Sequence, residues 1–110
     1  MAELPPLHPG EVLREEFLKP LSLTAYSLAA AIDVPRTRIE RLANGKGGIT
    51  ADTALRLGRY FRTSPEFWMN LQNRFELETK RRALGDRLER IEERASAKPR
   101  RAPQSPAFKA

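Results

Sequence analysis

"AYSLAAAIDVPRTRIERLAN", residues 25–44, decides the fold of this 110-residue chain. Its first half brings Leu28, Ala29 and Ile32 to one side of a helix, and its second half does the same with Ile39 and Leu42. Thr24 is placed to cap the first helix, since a threonine hydroxyl there accepts from a backbone N–H that the helix leaves orphaned. The alanines let a neighbouring helix approach closely. The connection "DV" is tight, and Pro35, which has no N–H to leave unsatisfied, suits the start of the next helix. The stretch therefore predicts two short helices, 25–32 and 35–44, the second closed by Gly45 in the left-handed conformation.

Outward from this pair the pattern stays helical. Pro9 and Glu11 predict a first helix that stops near Lys19, before Pro20, with Val12, Leu13, Phe17 and Leu18 as its apolar stripe. Thr50 caps a fourth helix, "ADTALRLGRYF", whose Ala54, Leu55, Leu57, Tyr60 and Phe61 are expected to face inward. Ser64, Pro65 and Glu66 signal a fifth start, and Phe67, Trp68, Leu71 and Phe75 after it form the densest aromatic cluster in the chain. No alternating strand pattern of useful length occurs. The expected fold is all-α with five helices.

Beyond Glu78 the spacing changes. Leu77, Leu84 and Ile91 lie seven apart, with Leu88 and Ala95 in a second row displaced by four, as in a heptad seam that Arg81 interrupts and Gly85 weakens. The expected organisation is a domain over 8–79, a helical extension over 80–97 and a disordered basic tail, "KPRRAPQSPAFKA", over 98–110.

Composition removes several classes of function. Without cysteine there is no disulfide or thiolate metal site, and the lone His8 cannot supply an ordinary ligand set. Beside a proline it reads as a helix-start residue. No apolar run approaches the roughly twenty residues of a membrane span, so no membrane partner and a cytoplasmic location are expected. The formal net charge of +6 is unevenly spread. Residues 34–62 carry seven basic and two acidic side chains, whereas 1–33 carry two basic and five acidic. Such polarity offers one face to a polyanion, although arginines on solvated helix faces explain the charge equally well.

The two central helices give that charge a geometry. Two short helices joined by a tight turn make the helix-turn-helix layout, in which the second helix enters the DNA major groove and the first crosses the backbone. Ile39 and Leu42 anchor the second helix, leaving Arg36, Thr37 and Arg38 for base edges and phosphates. Arg41 either touches phosphate or pairs within the protein, and Glu40 reads as an orienting or solvated residue. Lys46 lies where it complements the helix dipole and where the same loop reaches the backbone of DNA. Arg56, Arg59 and Arg62 read as solvated. A phosphate-cradling loop is excluded, because "NGKGGIT" follows a helix and its lysine precedes two glycines. No nucleophile stands near a histidine and no carboxylates pair on an evident pocket, so no catalytic residue and no cofactor are expected.

Residues 8–77 resemble the HigA-type antitoxins, also called VapI-like or plasmid-maintenance antidote proteins, of the Xre/Cro helix-turn-helix superfamily. The resemblance rests on "HPGE", "VPRTRI", "NGKGGIT", "DTALRLGRYF" and "PEFWMNLQ" taken together. It implies a lambda-repressor-like domain that binds palindromic double-stranded operator DNA as a homodimer, represses its own operon and neutralises a HigB/RelE-like mRNA endonuclease. By the resemblance Arg36, Thr37 and Arg38 fall on the start of the recognition helix and Asn44 and Gly45 on the turn that ends it; the expected DNA contacts are Thr24, Arg36, Thr37, Arg38, Arg41, Asn44 and Lys46. The dimer contact is expected among Phe67, Leu71, Phe75, Leu84 and Leu88, although Leu71, like Trp68, reads better as core. The acidic face of Glu11, Glu15 and Glu16 would complement a basic toxin. Two departures stand out: Ala25 replaces the glutamine that often clamps phosphate, and Asp33 replaces the usual turn glycine. A stand-alone regulator of the same fold, or a protein-interaction module, remains an alternative on sequence alone.

Overall fold

The computed structural model describes residues 4–94; the expected tail, 98–110, and the heptad position Ala95 lie outside the described residues. Six helices follow in order, with no strand among the described residues: α1 (Pro9–Val12, continuing as a wider π-helical turn, Leu13–Leu18), α2 (Ala25–Ile32), α3 (Arg36–Ala43), α4 (Ala51–Phe61), α5 (Pro65–Leu84) and the single turn α6 (Asp86–Glu89). In the π-helical turn the Lys19 N–H reaches the Arg14 carbonyl at 3.0 Å, five residues back. That widening puts Leu13 and Leu18, five residues apart, on the same buried face.

Each start follows from its cap. Thr24, Thr50 and Ser64 all accept a backbone N–H from the third residue on, as their position before an apolar-periodic run predicts. Pro35 stands one residue outside α3 in extended conformation, so the expected helix at 35–44 begins with Arg36 instead.

The core gathers Leu13 and Leu18 of α1, Leu28, Ala29 and Ile32 of α2, Ile39 and Leu42 of α3, Leu57 of α4 and Trp68 of α5. Trp68 is fully enclosed, its Nε1–H donating to Thr63 Oγ1 at 2.8 Å, with Phe17 and Phe67 both 5.0 Å away between ring centroids. The indole thus buries its large apolar face while its one polar group is satisfied. Two expectations for α4 fail: Leu55 is 60% and Tyr60 42% exposed. The inward face of α4 is set by Thr53, Ala54, Leu57 and Gly58, whose spacing of three and four leaves Leu55 and Tyr60 off the stripe.

The expected heptad seam also breaks. α5 runs unbroken past residue 79 to Leu84, where Gly85 at φ 51°, ψ −128° ends it. Leu84 and Leu88 therefore sit on two separate helices, and a single coiled-coil face through Ile91 does not form. Leu77, Leu84, Leu88 and Ile91 are all exposed.

Gln72, absent from the expected site residues, ties α5 to the loop before α4. Its buried side chain accepts from the Ile49 N–H at 2.7 Å through Oε1 and donates to Glu76 at 2.9 Å through Nε2. Gln72→Leu would strand the Ile49 N–H. It is expected to cost about 1–3 kcal/mol in urea unfolding. An unchanged midpoint would show that the loop does not depend on this bond.

Candidate nucleic-acid interface

The α2–α3 turn closes with Asp33 in the left-handed region, φ 60° and ψ 53°, as its place in the sequence requires. The Asp33 N–H bonds the Ala30 carbonyl at 3.3 Å and the Val34 N–H bonds Ala29 at 3.0 Å, which satisfies two carbonyls that α2 would leave open. At the other end of α2, Thr24 and Ser27 cap reciprocally: Thr24 Oγ1 accepts from the Ser27 N–H at 2.9 Å and Ser27 Oγ from the Thr24 N–H at 3.1 Å. Ala25, at the first position of α2, offers no side-chain clamp.

α3 turns Ile39, Leu42 and Ala43 into the core. At about 100° per residue the direction opposite them falls on Thr37, Arg41 and Asn44, with Arg38 and Glu40 on the flanks and Arg36 nearer the buried edge. All of these except the half-buried Glu40 are exposed. Arg41 has no ion-pair partner among the described residues. Arg36 is held twice: its Nε is 3.3 Å from Glu40, and its guanidinium lies 5.8 Å from the ring centroid of Tyr26. Glu40 is thus an orienting residue. Tyr26, 64% exposed near the start of α2, belongs to the same surface and carried no sequence signal beyond an aromatic in an otherwise small-residue helix.

Arg38 leans the other way, onto α4. Its Nη1 lies 2.6 Å from Asp52 Oδ2 and 3.5 Å from Thr53 Oγ1. The same carboxylate oxygen accepts from Arg56 Nε at 3.0 Å, and Arg56 Nη1 donates to the carbonyls of Ile32 at 2.8 Å and Asp33 at 3.2 Å. Arg56 was expected to be solvated like Arg59 and Arg62. It instead caps the C-terminal end of α2, where a cation complements the helix dipole. The hydrogen bonds from Arg38 and Arg56 hold the Asp52 carboxyl below its ordinary range. The ion pairs are therefore complete at neutral pH and are given up only as acid protonates the carboxylate.

α1 positions the recognition helix from behind. A Cβ on Gly10 would lie 1.6 Å from the Leu42 carbonyl oxygen, so only glycine permits this approach of α1 to the end of α3. Arg14 donates to the Ala43 carbonyl at 2.5 Å, capping α3 with a positive charge. His8 is a helix-start residue, as expected, and more: Nδ1 accepts from the Gly10 N–H at 2.9 Å, leaving Nε2–H to donate to the Gly47 carbonyl at 2.9 Å. Its ring also meets Phe75 edge-on at 4.8 Å. The "HPGE" opening thus anchors both α3 and the loop that carries Lys46. That loop leaves α3 with Gly45 at φ 80° and keeps Asn44 and Lys46 exposed.

The remaining expected contacts are scattered. Glu15 is paired with Arg14 at 2.9 Å and Lys19 at 3.0 Å, and the bonds from Lys19 and then Arg14 hold its carboxyl below the ordinary range; Glu11 and Glu16 are exposed. The acidic face is therefore partly neutralised by its own helix. Leu71 packs against the core and Phe75 against His8, while Phe67, Leu84 and Leu88 are exposed. Among the described residues no group of three or more His, Asp or Glu could hold a metal, and no helix is long and apolar enough to cross a membrane.

The family described as helix-turn-helix matches residues 15–68, which span α2, α3 and α4 whole. Virulence-associated protein I of Dichelobacter nodosus is 51% identical over 68% of this chain and 69% of its own length. Antitoxin HigA-1 of Vibrio cholerae is 40% identical over 66% and 68% respectively. Among solved structures, the Pseudomonas aeruginosa antitoxin HigA with the higBA promoter superposes at a TM-score of 0.78 with 44% identity, covering 81% of this chain and 97% of that one.

Proposed function

The chain belongs to the HigA antitoxin family of Xre-type helix-turn-helix proteins, and on that premise we propose that it represses its own operon and neutralises a HigB/RelE-like endonuclease toxin. It acts by binding, not by catalysis, at operator DNA in the cytoplasm. The observation that carries this reading is the outward face of α3, presented by a capped α2 and an intact turn, in the fold of a relative solved with promoter DNA. Thr37, Arg38 and Arg41 read base edges, with Arg36 beside them. Thr24, at the exposed start of α2, and Asn44 and Lys46, past the end of α3, meet phosphates. In a two-fold dimer the two α3 helices enter half-sites about 34–36 Å apart, one turn of the duplex.

The domain over 8–79 carries the DNA face, and the extension over 80–97 contributes to assembly. The dimer contact is assigned to Phe67, Leu71 and Phe75 with Leu84 and Leu88 beyond; a chain ending at residue 79 that keeps full dimer mass in solution would remove the last two. Glu11 and Glu16, exposed on α1, with Glu15 beside them, are the toxin-facing candidates.

The test pairs two measurements on the full chain. Binding to its own promoter is compared with binding to an unrelated duplex across a salt series, and the chain is co-expressed with the product of the neighbouring gene. Preference for the promoter with rescue from growth arrest supports the reading. Preference without rescue leaves a regulator that has no toxin, and absence of preference removes the DNA assignment. Lys46→Ala is expected to weaken promoter and unrelated duplex alike and to lower the salt slope by about one. A loss confined to the promoter would make Lys46 a base reader.

A further inference from the structure

The bridge at the foot of α4 joins three parts of the DNA-binding unit. One oxygen of Asp52 takes Arg38 of α3 at 2.6 Å and Arg56 of α4 at 3.0 Å, while Arg56 is fixed on its far side to the last carbonyls of α2. Arg56 cannot leave without uncapping α2, so Asp52 is anchored. Arg38 can leave, because among the described residues its partners are Asp52 and Thr53 alone and its side chain is 40% exposed. Both bonds use Nη1. The Nε and Nη2 donors of the guanidinium carry no hydrogen bond among the described residues, and they form the edge whose fork matches the O6 and N7 acceptors of guanine.

We propose that Asp52 is a specificity-determining positioning residue that holds Arg38 by one nitrogen and leaves its other edge set for a base. This rests on the operator-binding reading above. Two effects follow from one carboxylate. Held in place, Arg38 loses little freedom when a correctly spaced guanine arrives, so promoter binding gains. Held against a negative charge, Arg38 is a poor phosphate ligand, so binding to arbitrary duplex loses. Both raise the ratio of specific to nonspecific affinity, which governs target choice among many competing sites.

Asp52→Asn keeps the shape and removes the charge. For the full-length variant, binding to an unrelated duplex is expected to tighten about 3-fold to 10-fold at low salt, with a salt slope steeper by about 0.9, since one more cation becomes free to neutralise phosphate. Promoter affinity is expected to fall, and Asp52→Glu to restore part of the discrimination. In an Arg38→Ala background the Asn substitution is expected to change the ratio little, because the residue through which it acts is gone. Arg38→Gln tests the same contact with Asp52 and Arg56 left paired: it is expected to weaken promoter binding while the slope on unrelated duplex stays unchanged. An unaltered ratio in Asp52→Asn, an equal change in the Arg38→Ala background, or a parallel loss on both duplexes with a lowered melting temperature would each overturn the proposal. A wild-type chain that prefers its promoter while Asp52→Asn discriminates equally well sinks this inference alone. A wild-type chain with no preference sinks the operator reading and this inference with it.

Discussion

Replacing Gly10 by alanine is expected to lower the melting temperature by roughly 8–16 °C. The added Cβ would lie 1.6 Å from the Leu42 carbonyl oxygen, a backbone atom that no rotamer change can move aside. Overpacking of this kind costs about 3 kcal/mol or more, and each kcal/mol moves the midpoint of a domain this size by about 4–8 °C. Helix propensity pushes the other way, since alanine in a helix is favoured over glycine by about 1 kcal/mol. The sign of the change therefore separates the two influences. A melting temperature that rises would mean that α1 does not sit against the end of α3. Gly45→Ala is a useful comparison: its φ of 80° makes a side chain strained, by about 1–2 kcal/mol, but no atom lies within 4 Å of the new Cβ. Because Gly10, Arg14 and His8 all fix the far end of α3, Gly10→Ala is also expected to weaken promoter binding at temperatures where the chain remains folded.

The largest effect on DNA binding is expected from Arg41→Ala. Arg41 lies opposite the buried side of α3, between Thr37 and Asn44, without an ion pair to hold it back among the described residues. A bidentate arginine–guanine contact discriminates by about 1–3 kcal/mol, so promoter affinity should fall about 5-fold to 150-fold while binding to unrelated duplex falls less. Arg36→Ala should cost less, because Arg36 is already shared between Glu40 and the ring of Tyr26. Equal loss on both duplexes would make Arg41 a phosphate contact, and no loss would move the reading face elsewhere on α3.

The two arginines flanking that face show where sequence reasoning was sufficient and where it stopped. Arg36, Thr37 and Arg38 were legible as a polar start to an anchored helix, because Ile39 and Leu42 fix which way α3 faces. Their partners were not. Asp52 is fourteen residues from Arg38 and on another helix, and only the packing of α3 on α4 brings the two to 2.6 Å. The Asp52 to Arg56 spacing of four was readable as a helical pair, but the reach of Arg56 back to Ile32 was not. Similarly, "HPGE" gave a helix start from local rules, whereas the contact of Gly10 with Leu42 spans more than thirty residues.

By itself the sequence determined the all-helical order, the caps at Thr24, Thr50 and Ser64, and the pairing of two short helices across a tight turn. These depend on hydrogen bonds and side-chain periodicity within a few residues along the chain, which local chemistry specifies. Only the tertiary structure decided which arginines are engaged, that Leu55 and Tyr60 face outward, that Gly85 breaks the heptad face, and that Gln72 holds the Lys46 loop. Those outcomes depend on which helices meet and at what distance, and a Coulomb or steric contact between remote residues leaves no periodic trace in the sequence.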